Sequence, residues 1–462
     1  MLGKSMAEWL RLCFTFERRV SRKIYLLAGV GLALTKFAGD CAMVWAATGK
    51  LWAPTDYLSP VHAVLSTRLA DAPAALLPLL AVWALPFIWI GITMSMRRAL
   101  DAGLSAWWAL FFFVPGFSYA FMAFMCVLPT DNDPTPNPEA PRAYEMRLPG
   151  ALLSMAAGIG IGVSMLAISV YALQQYGTSL FIGTPFVIGA VTAFLFNRRY
   201  PASVRETLQV VAMTIFCVAG IAVMVAAEGA LCLAMAAGLA LVLAAMGAVL
   251  GRRVALHDHR LTSGSMLALL ALPLSATLDA HRALPTTNVR EVRSSIVINA
   301  TPDVVWNNVI AFPPLDEPTE FVFRVGIAYP KHAEIRGTGV GAVRYCVFST
   351  GAFVEPITRW EPGHRLSFNV DSSPPPLKEW SPFANVTPPH IDGYFKSRRG
   401  EFRVIALPNG QTRLEGSTWY EMRLYPEGYW SLFGDNLISR IHGQVLRHIK
   451  REAEATVLKP SS

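Results

Sequence analysis

Apolar residues run in long unbroken blocks through the first three fifths of the chain and in short alternating runs after that. A helix of roughly 20 apolar residues crosses a bilayer. By that measure eight blocks read as spans: Ile24–Ala47, Ala72–Met94, Trp107–Leu128, Gly150–Leu173, Ser179–Phe196, Leu208–Ala227, Gly229–Leu250 and the shorter Ser263–Leu278. Between Pro149 and Leu250 the only charges are Arg198, Arg199, Arg205, Glu206 and Glu228, which leaves little room for a water-soluble alternative. Two blocks carry small residues four apart, Gly158/Gly162 and Gly247/Gly251. That spacing lets helices approach closely, with packing the first reading and dimerisation the second.

Beyond the segment 281–291 the pattern changes. Val292–Asn299 alternates like a half-buried strand, and Thr301-Pro302-Asp303 supplies an N-cap, a proline at the first helical position and an acid in the first turn. Further strands are expected at Gly341–Phe348, Phe353–Trp360, Arg365–Val370, Tyr394–Leu407 and Thr412–Tyr420. Asn409-Gly410 signals a two-residue hairpin, and Thr350-Gly351 signals a second. The last element, Tyr429–Ala455, places Phe433, Leu437, Ile441, Val445 and Ile449 at helical spacing, so one stripe should lie on the sheet.

Composition agrees with the division. Of 462 residues, 53% are hydrophobic and only 16% charged, too few charges for a purely soluble or disordered chain. The shortage is confined to the first part: 33 of residues 1–280 are charged, against 39 of the 182 that follow. The net charge of +8 comes without a long Lys/Arg run. It reads as positive loops facing anionic lipid, and no nucleic-acid partner is expected. The cysteines lie scattered without a C-x-x-C pair, so neither a disulfide framework nor a zinc site is expected. The N-terminal segment, residues 1–23, is basic, but no convincing small-residue cleavage site follows the first apolar stretch, which is read as an uncleaved first span.

Lys and Arg beside the spans set orientation. Lys4, Arg11, Arg18, Arg19, Arg22 and Lys23 place the N-terminal segment in the cytoplasm, and Arg97 and Arg98 fit the same side after the second span. Eight full crossings would put Arg198, Arg199, Arg205, Arg252 and Arg253 outside. A turn-back at Pro115-Gly116 returns them inside and delivers the C-terminal domain to the periplasm, the orientation expected here.

Two stretches carry family resemblances. The run Ile296-Val-Ile-Asn-Ala-Thr-Pro-Asp-Val-Val-Trp306, with the strands and closing helix that follow, resembles the START/SRPBCC superfamily of polyketide cyclases and lipid-transfer domains. Gly339–Gly351 and Gly393–Gly400 look like a membrane-fused bacterial branch of it. The resemblance implies a helix-grip fold over 292–456, a curved antiparallel sheet around the last helix with an apolar cavity between them. Phe16–Arg22 and Arg97-Arg-Ala-Leu-Asp-Ala-Gly-Leu-Ser-Ala-Trp-Trp108 resemble a bacterial inner-membrane family known as domain of unknown function 805, over about residues 12–130, with the membrane domain at 24–130. That family usually shows Arg-Arg-Leu-His-Asp, whereas Ala99-Leu100 stand before Asp101 here, so the histidine is missing. Residues 149–280 hold the further spans. The expected fold is an all-α multi-pass membrane domain followed by an α+β helix-grip domain.

Candidate chemistry is sparse. Lys36 and Asp40 share one face of the first span, as a mutually neutralising pair or else an ion pathway. Arg97, Arg98 and Asp101 form a membrane-interface cluster, an orientation anchor or else a clamp for a phospholipid head group. A hairpin closed by Thr350-Gly351 would set Cys346 opposite Glu355 and Phe348 opposite Phe353, with Arg344 and Glu355 diagonal neighbours. Together with Ile357 these residues, Arg344, Cys346, Phe348, Phe353 and Glu355, are the expected ligand-binding face. The proline-rich segment 372–390 would place Leu377, Trp380 and Phe383 as a lid. His257-Asp258-His259 reads as a polar loop, and His390, His442 and His448 have no obvious partners as bases. No metal, cofactor or catalytic residue is expected. The expected partners are membrane lipids and an apolar small molecule. The expected function is membrane-anchored binding, with transfer of the ligand an extension of it; a cyclase or aromatase using the same cavity, and a transporter or sensor gated by the soluble domain, are the alternatives.

Overall fold

The computed structural model describes residues 19–58, 75–104, 117–130, 139–199, 201–257, 289–380 and 393–458, with Leu69, Ala72, Pro73, Trp108, Ala109 and Phe112. The chain divides into two units, one drawn mostly from residues before Leu272 and one mostly from residues after Pro273.

The first unit is helical. Its helices are α1 (Arg22–Thr48), α2 (Leu76–Asp101), α3 (Phe117–Val127), α4 (Glu139–Leu166), α5 (Thr184–Arg199), α6 (Val204–Met224) and α7 (Ala230–His257). Five stretches among the described residues are long and apolar enough to cross a membrane: Arg22–Thr48, Gly150–Ala172, Ser179–Arg198, Val204–Met224 and Ala230–Leu256. The second expected span falls on α2. The third falls in part on α3, which has 11 residues, about 17 Å of helix; most of that block before Phe117 lies outside the described residues. Ser263–Leu278 lies outside the described residues.

Glycine sets how closely these helices approach. A Cβ on Gly247 would stand 2.0 Å from the Phe186 carbonyl oxygen, one on Gly251 2.0 Å from that of Ala190, and one on Gly189 2.0 Å from that of Ala244. The backbones of α5 and α7 therefore touch, and the small-residue spacing of α7 is used within the chain. Polar groups seal the adjoining turn. Asn197 donates to the Ala193 carbonyl (2.8 Å) and accepts from the Ala202 N–H (3.1 Å), while Arg252 donates twice to the Ala202 carbonyl (3.1 and 2.9 Å). Ser203 and Glu206 form a reciprocal capping box that starts α6.

The second unit is a seven-stranded antiparallel sheet in the order β1-β7-β6-β5-β4-β3-β2 with one long helix. The elements are β1 (Arg290–Ile298), α8 (Pro302–Ile310), α9 (Phe321–Arg324), β2 (Pro330–Arg336), β3 (Val343–Phe348), β4 (Gly351–Glu361), β5 (Arg365–Asn369), β6 (Phe395–Ala406), β7 (Thr412–Met422) and α10 (Glu427–Leu458). Both edge strands, β1 and β2, touch α10, so the sheet curls around that helix. Helix α8 starts at Thr301 with Pro302 in its first turn, but the Thr301 side chain makes no capping bond. On α10 the buried stripe is Ile438, Val445, Leu446, Ile449 and Ala453, and Phe433 lies 39% exposed beyond its edge.

Both hairpins differ from expectation. The β3–β4 turn is Ser349-Thr350, because Gly351 at φ 148° opens β4 and pairs with Phe348. Arg344 then sits directly opposite Glu355, and Cys346 opposite Phe353. The register moves by two residues, which keeps every side chain on its expected face. Between β6 and β7 the loop is Pro408-Asn409-Gly410, closed by Leu407 N–H donating to the Gln411 carbonyl (2.8 Å). A two-residue loop would pair Pro408 with Gln411, and proline has no N–H to give that pair. The left-handed residue the longer loop needs is Gly410, at φ 78°.

The helix contact yields a direct test. Gly247→Val should destabilise the full chain in detergent by about 1–3 kcal/mol, the range for overpacking, whereas Gly160→Ala, whose Cβ meets nothing within 4 Å, should leave thermal stability unchanged. Equal behaviour of the two variants would contradict backbone contact between α5 and α7.

Candidate functional site

The concave face of the sheet and α10 enclose a cavity of about 130 Å³. An apolar cavity of about 150 Å³ holds one benzene-sized ring, so the space suits a single ring or the end of an alkyl chain. Its floor is glycine. A Cβ on Gly400 would run into the Phe368 ring at 2.3 Å, and one on Gly416 would meet the Phe402 ring at 3.5 Å. Backbone replaces side chain there, and the phenyl rings lie across the sheet.

Arg344 and Glu355 face each other across β3 and β4 on the cavity wall, with Nη1 of Arg344 donating to Oε2 of Glu355. Arg344 is 2% exposed and Glu355 6%. The guanidinium carbon lies 5.6 Å from the Phe312 ring centre, 5.3 Å from Phe368 and 5.6 Å from Phe402, so three aromatic faces surround the charge. Burial opposes that charge, and Glu355 overcomes the penalty and holds the guanidinium protonated. Burial also raises the Glu355 carboxyl above the ordinary carboxylate range, against the pull of Arg344. The neighbouring Cys346 thiol is pushed up to about 12 by the same burial, so it is a neutral wall group and not a nucleophile. One polar atom is left over: the buried Nε of Arg344 has no hydrogen-bond partner. Leaving such a donor unmet costs about 1–3 kcal/mol.

The expected ligand-binding residues separate at the end of β4. Arg344, Cys346, Phe348, Phe353 and Glu355 line the cavity, and the Phe348 and Phe353 rings meet edge to face at 4.8 Å. Ile357 shares their face but lies beyond the cavity, 2% exposed in the core with Ile298, Trp306 and Leu366. Of the expected lid residues, Leu377 and Trp380 lie among the described residues. Leu377 is buried and bridges Ile327, because its segment is a strap held by backbone bonds. Lys378 N–H donates to the Gly326 carbonyl (2.8 Å), Ala328 N–H to that of Pro376 (3.0 Å), and the Thr350 hydroxyl to that of Pro375 (2.7 Å). Ser373 and Pro374–Pro376 thus form a fixed wall of the cavity. Trp380 is 57% exposed, and Phe383 and His390 fall outside the described residues.

Sequence reasoning did not single out Phe312, Phe368 or Phe402, and it set His442 aside as lacking partners, which the structure corrects. The three phenylalanines come from elements distant in sequence, and only the sheet register brings them to Arg344. His442 had a local signal: it stands four residues after Ile438 and three before Val445, on the buried stripe of α10. Its Nε2 shares a 2.8 Å hydrogen bond with the Thr418 hydroxyl, and its Nδ1 a 3.2 Å bond with that of Ser294. The ring therefore ties α10 to β7 and β1 while lining the cavity. A second tie is Asp435, which accepts from the Tyr420 hydroxyl (2.6 Å) and from Arg290 (2.7 Å).

Four charged groups of the first unit, Arg98, Asp101, Lys36 and Asp40, are committed to its structure. Arg98 is fully buried; its Nε donates to the Met125 carbonyl (2.9 Å), its Nη1 to Asp101 (2.8 Å), and its Nη2 to the Leu128 carbonyl. Thr130 also donates to Asp101 (2.9 Å). Arg98 thus closes the C-terminal carbonyls of α3, and Arg97 is buried beside it. Lys36 donates to Asp40 at 2.5 Å, and the Tyr57 hydroxyl donates to the same carboxylate oxygen. Among the described residues no group of three or more His, Cys, Asp and Glu could hold a metal.

His442 generates a pH prediction. Burial lowers its pKa from 6.5 to about 4, so between those values the unfolded chain takes up a proton that the folded chain refuses. Stability of the full chain should fall as pH drops from about 6.5 towards 4, by at most about 3 kcal/mol from this residue. His442→Gln should flatten thermal stability across that window. An unchanged slope would contradict a neutral, buried imidazole.

Comparison with known proteins follows the two units. Residues 13–137 match the family described as Protein of unknown function (DUF805). Among curated proteins there is no match. One similar solved structure is the Zhui aromatase/cyclase from Streptomyces sp. R1128, 16% identical, covering 37% of this chain and 96% of that one with a TM-score of 0.25. Another is norcoclaurine synthase from Thalictrum flavum in complex with dopamine and hydroxybenzaldehyde, 14% identical, covering 38% and 91% with a TM-score of 0.25. Five helices of spanning length and a sheet curled around a long helix make this chain a membrane protein with a helix-grip module.

Proposed function

We propose that the chain binds an apolar small molecule, or the apolar end of a lipid, in the helix-grip cavity while its helices hold it in the membrane. The observation that carries this reading is the cavity itself, lined by Phe348, Phe353, Phe368 and Phe402 around a polar wall of Arg344 and Glu355. A ring-sized guest that loses about 150 Å² of apolar surface gains roughly 4 kcal/mol, close to millimolar affinity for a fragment. A longer amphiphile gains more along the cavity mouth. The membrane helices add effective concentration, since apolar ligands partition into the same bilayer. Transfer between membranes would be the extension of this role. The runner-up, a cyclase-type enzyme, needs a titratable group free to move a proton, whereas both nitrogens of His442 are engaged by hydroxyls.

The proposed setting is a bacterial inner membrane with the module on the periplasmic side: the basic residues of the N-terminal segment, the α5–α6 turn and the α7 end favour the cytoplasm, and a crossing by the apolar block 263–278 would carry the module outward. A reporter fused after Ser462 should read as periplasmic; a cytoplasmic signal would overturn this orientation.

Ligand binding is tested on the full chain purified in detergent and analysed by native mass spectrometry. The wild type should retain a small apolar adduct. Ile441→Trp, which adds a ring on the α10 wall, should retain roughly ten-fold less. Equal retention would overturn binding in this cavity.

A further inference from the structure

The polar part of the cavity wall is electrically closed. Arg344 brings one positive charge and Glu355 one negative, and they are paired to each other. The other charged residues of the wall are turned away or occupied. Arg399 stacks on the Trp419 ring at 3.8 Å and is exposed, and Glu401 is engaged by Arg365 (2.6 Å), Arg403 (2.5 Å) and the Ser367 hydroxyl (2.9 Å). Among the described residues lining the cavity, Nε of Arg344 is the one buried side-chain polar atom without a partner.

Each class of guest meets this wall differently. An anion would satisfy Nε but leave one uncompensated negative charge inside an aromatic cavity, at a large desolvation cost. A cation would face the guanidinium. A pure hydrocarbon fills the space and leaves the donor unmet. An uncharged guest with one acceptor oxygen fills the space, takes the hydrogen bond and adds no charge. Resting on the cavity-binding reading above, we propose that the site selects an uncharged, ring-sized guest bearing one acceptor oxygen, a carbonyl or ether, which accepts from Nε of Arg344. Selectivity then comes from a protein ion pair that is already neutral before the guest arrives. The ring of the guest packs against Phe348 and Phe353, and its oxygen points towards β3.

The test uses the wild-type full chain in lipid nanodiscs and four single-ring probes of seven to nine heavy atoms: toluene, acetophenone, benzoate and benzylamine, with affinities from ligand-observed NMR. Acetophenone should bind roughly ten-fold or more tightly than toluene, the gain expected from one hydrogen bond to a charged donor, and both ions should bind more weakly than acetophenone. In Arg344→Met/Glu355→Gln, toluene binding reports that the cavity persists, and the preference for acetophenone should fall to about one-fold. Equal binding of toluene and acetophenone to the wild type would overturn this inference and leave the cavity reading standing. Tightest binding of benzoate would overturn it in favour of an anion site. If neither toluene nor acetophenone binds, both readings fail.

Discussion

A guanidinium taken out of water must be neutralised, and the helix-grip module is built around that constraint at Arg344. The charge is answered by Glu355 directly across the β3–β4 ladder, and its faces by three phenyl rings from separate elements. An ion pair of this kind adds little net stability over a well-packed apolar alternative, but breaking it is costly. The fold has other fastenings: the apolar core of Ile298, Trp306, Leu366 and Ile449, and the two ties of α10 to the sheet through His442 and Asp435.

Two strands give up side chains at the wall of the hollow: Gly400 and Gly416 on β6 and β7 leave room for the rings of Phe368 and Phe402 to pack over the backbone. In the membrane part glycine has the opposite effect. Gly189, Gly247 and Gly251 bring two backbones into contact, which supplies the close packing that helices in lipid cannot obtain from the hydrophobic effect. The same residue type makes room for rings in one solvent and closes an interface in the other.

How much of this was legible in the sequence follows from the range of each interaction. The five spans found among the described residues were legible because their signal is local composition. Six of the seven strands and the last helix were legible from alternation and period. Strand β2, Pro330–Arg336, was not, because an edge strand that begins with proline and carries Lys331, Glu334 and Arg336 lacks an apolar alternation. The pairing of Arg344 with Glu355 was nearly legible: the assumed turn was misplaced within the hairpin, and the even slip kept both residues on one face. The aromatic cage was not legible, since Phe312, Phe368 and Phe402 meet Arg344 only through the register of strands far apart in sequence. Nor was the fixing of the Ser372–Lys378 strap, whose backbone bonds to Gly326 and Ala328 leave no trace in composition.

The most direct measurement is an experimental density map of the full chain in a lipid bilayer at a resolution that separates side chains. The account predicts a compact, uncharged guest held between α10 and the phenyl rings, with an oxygen at hydrogen-bonding distance from the Arg344 side chain. A hollow filled by the protein's own side chains, with that guanidinium nitrogen bonded to another part of the chain, would contradict it.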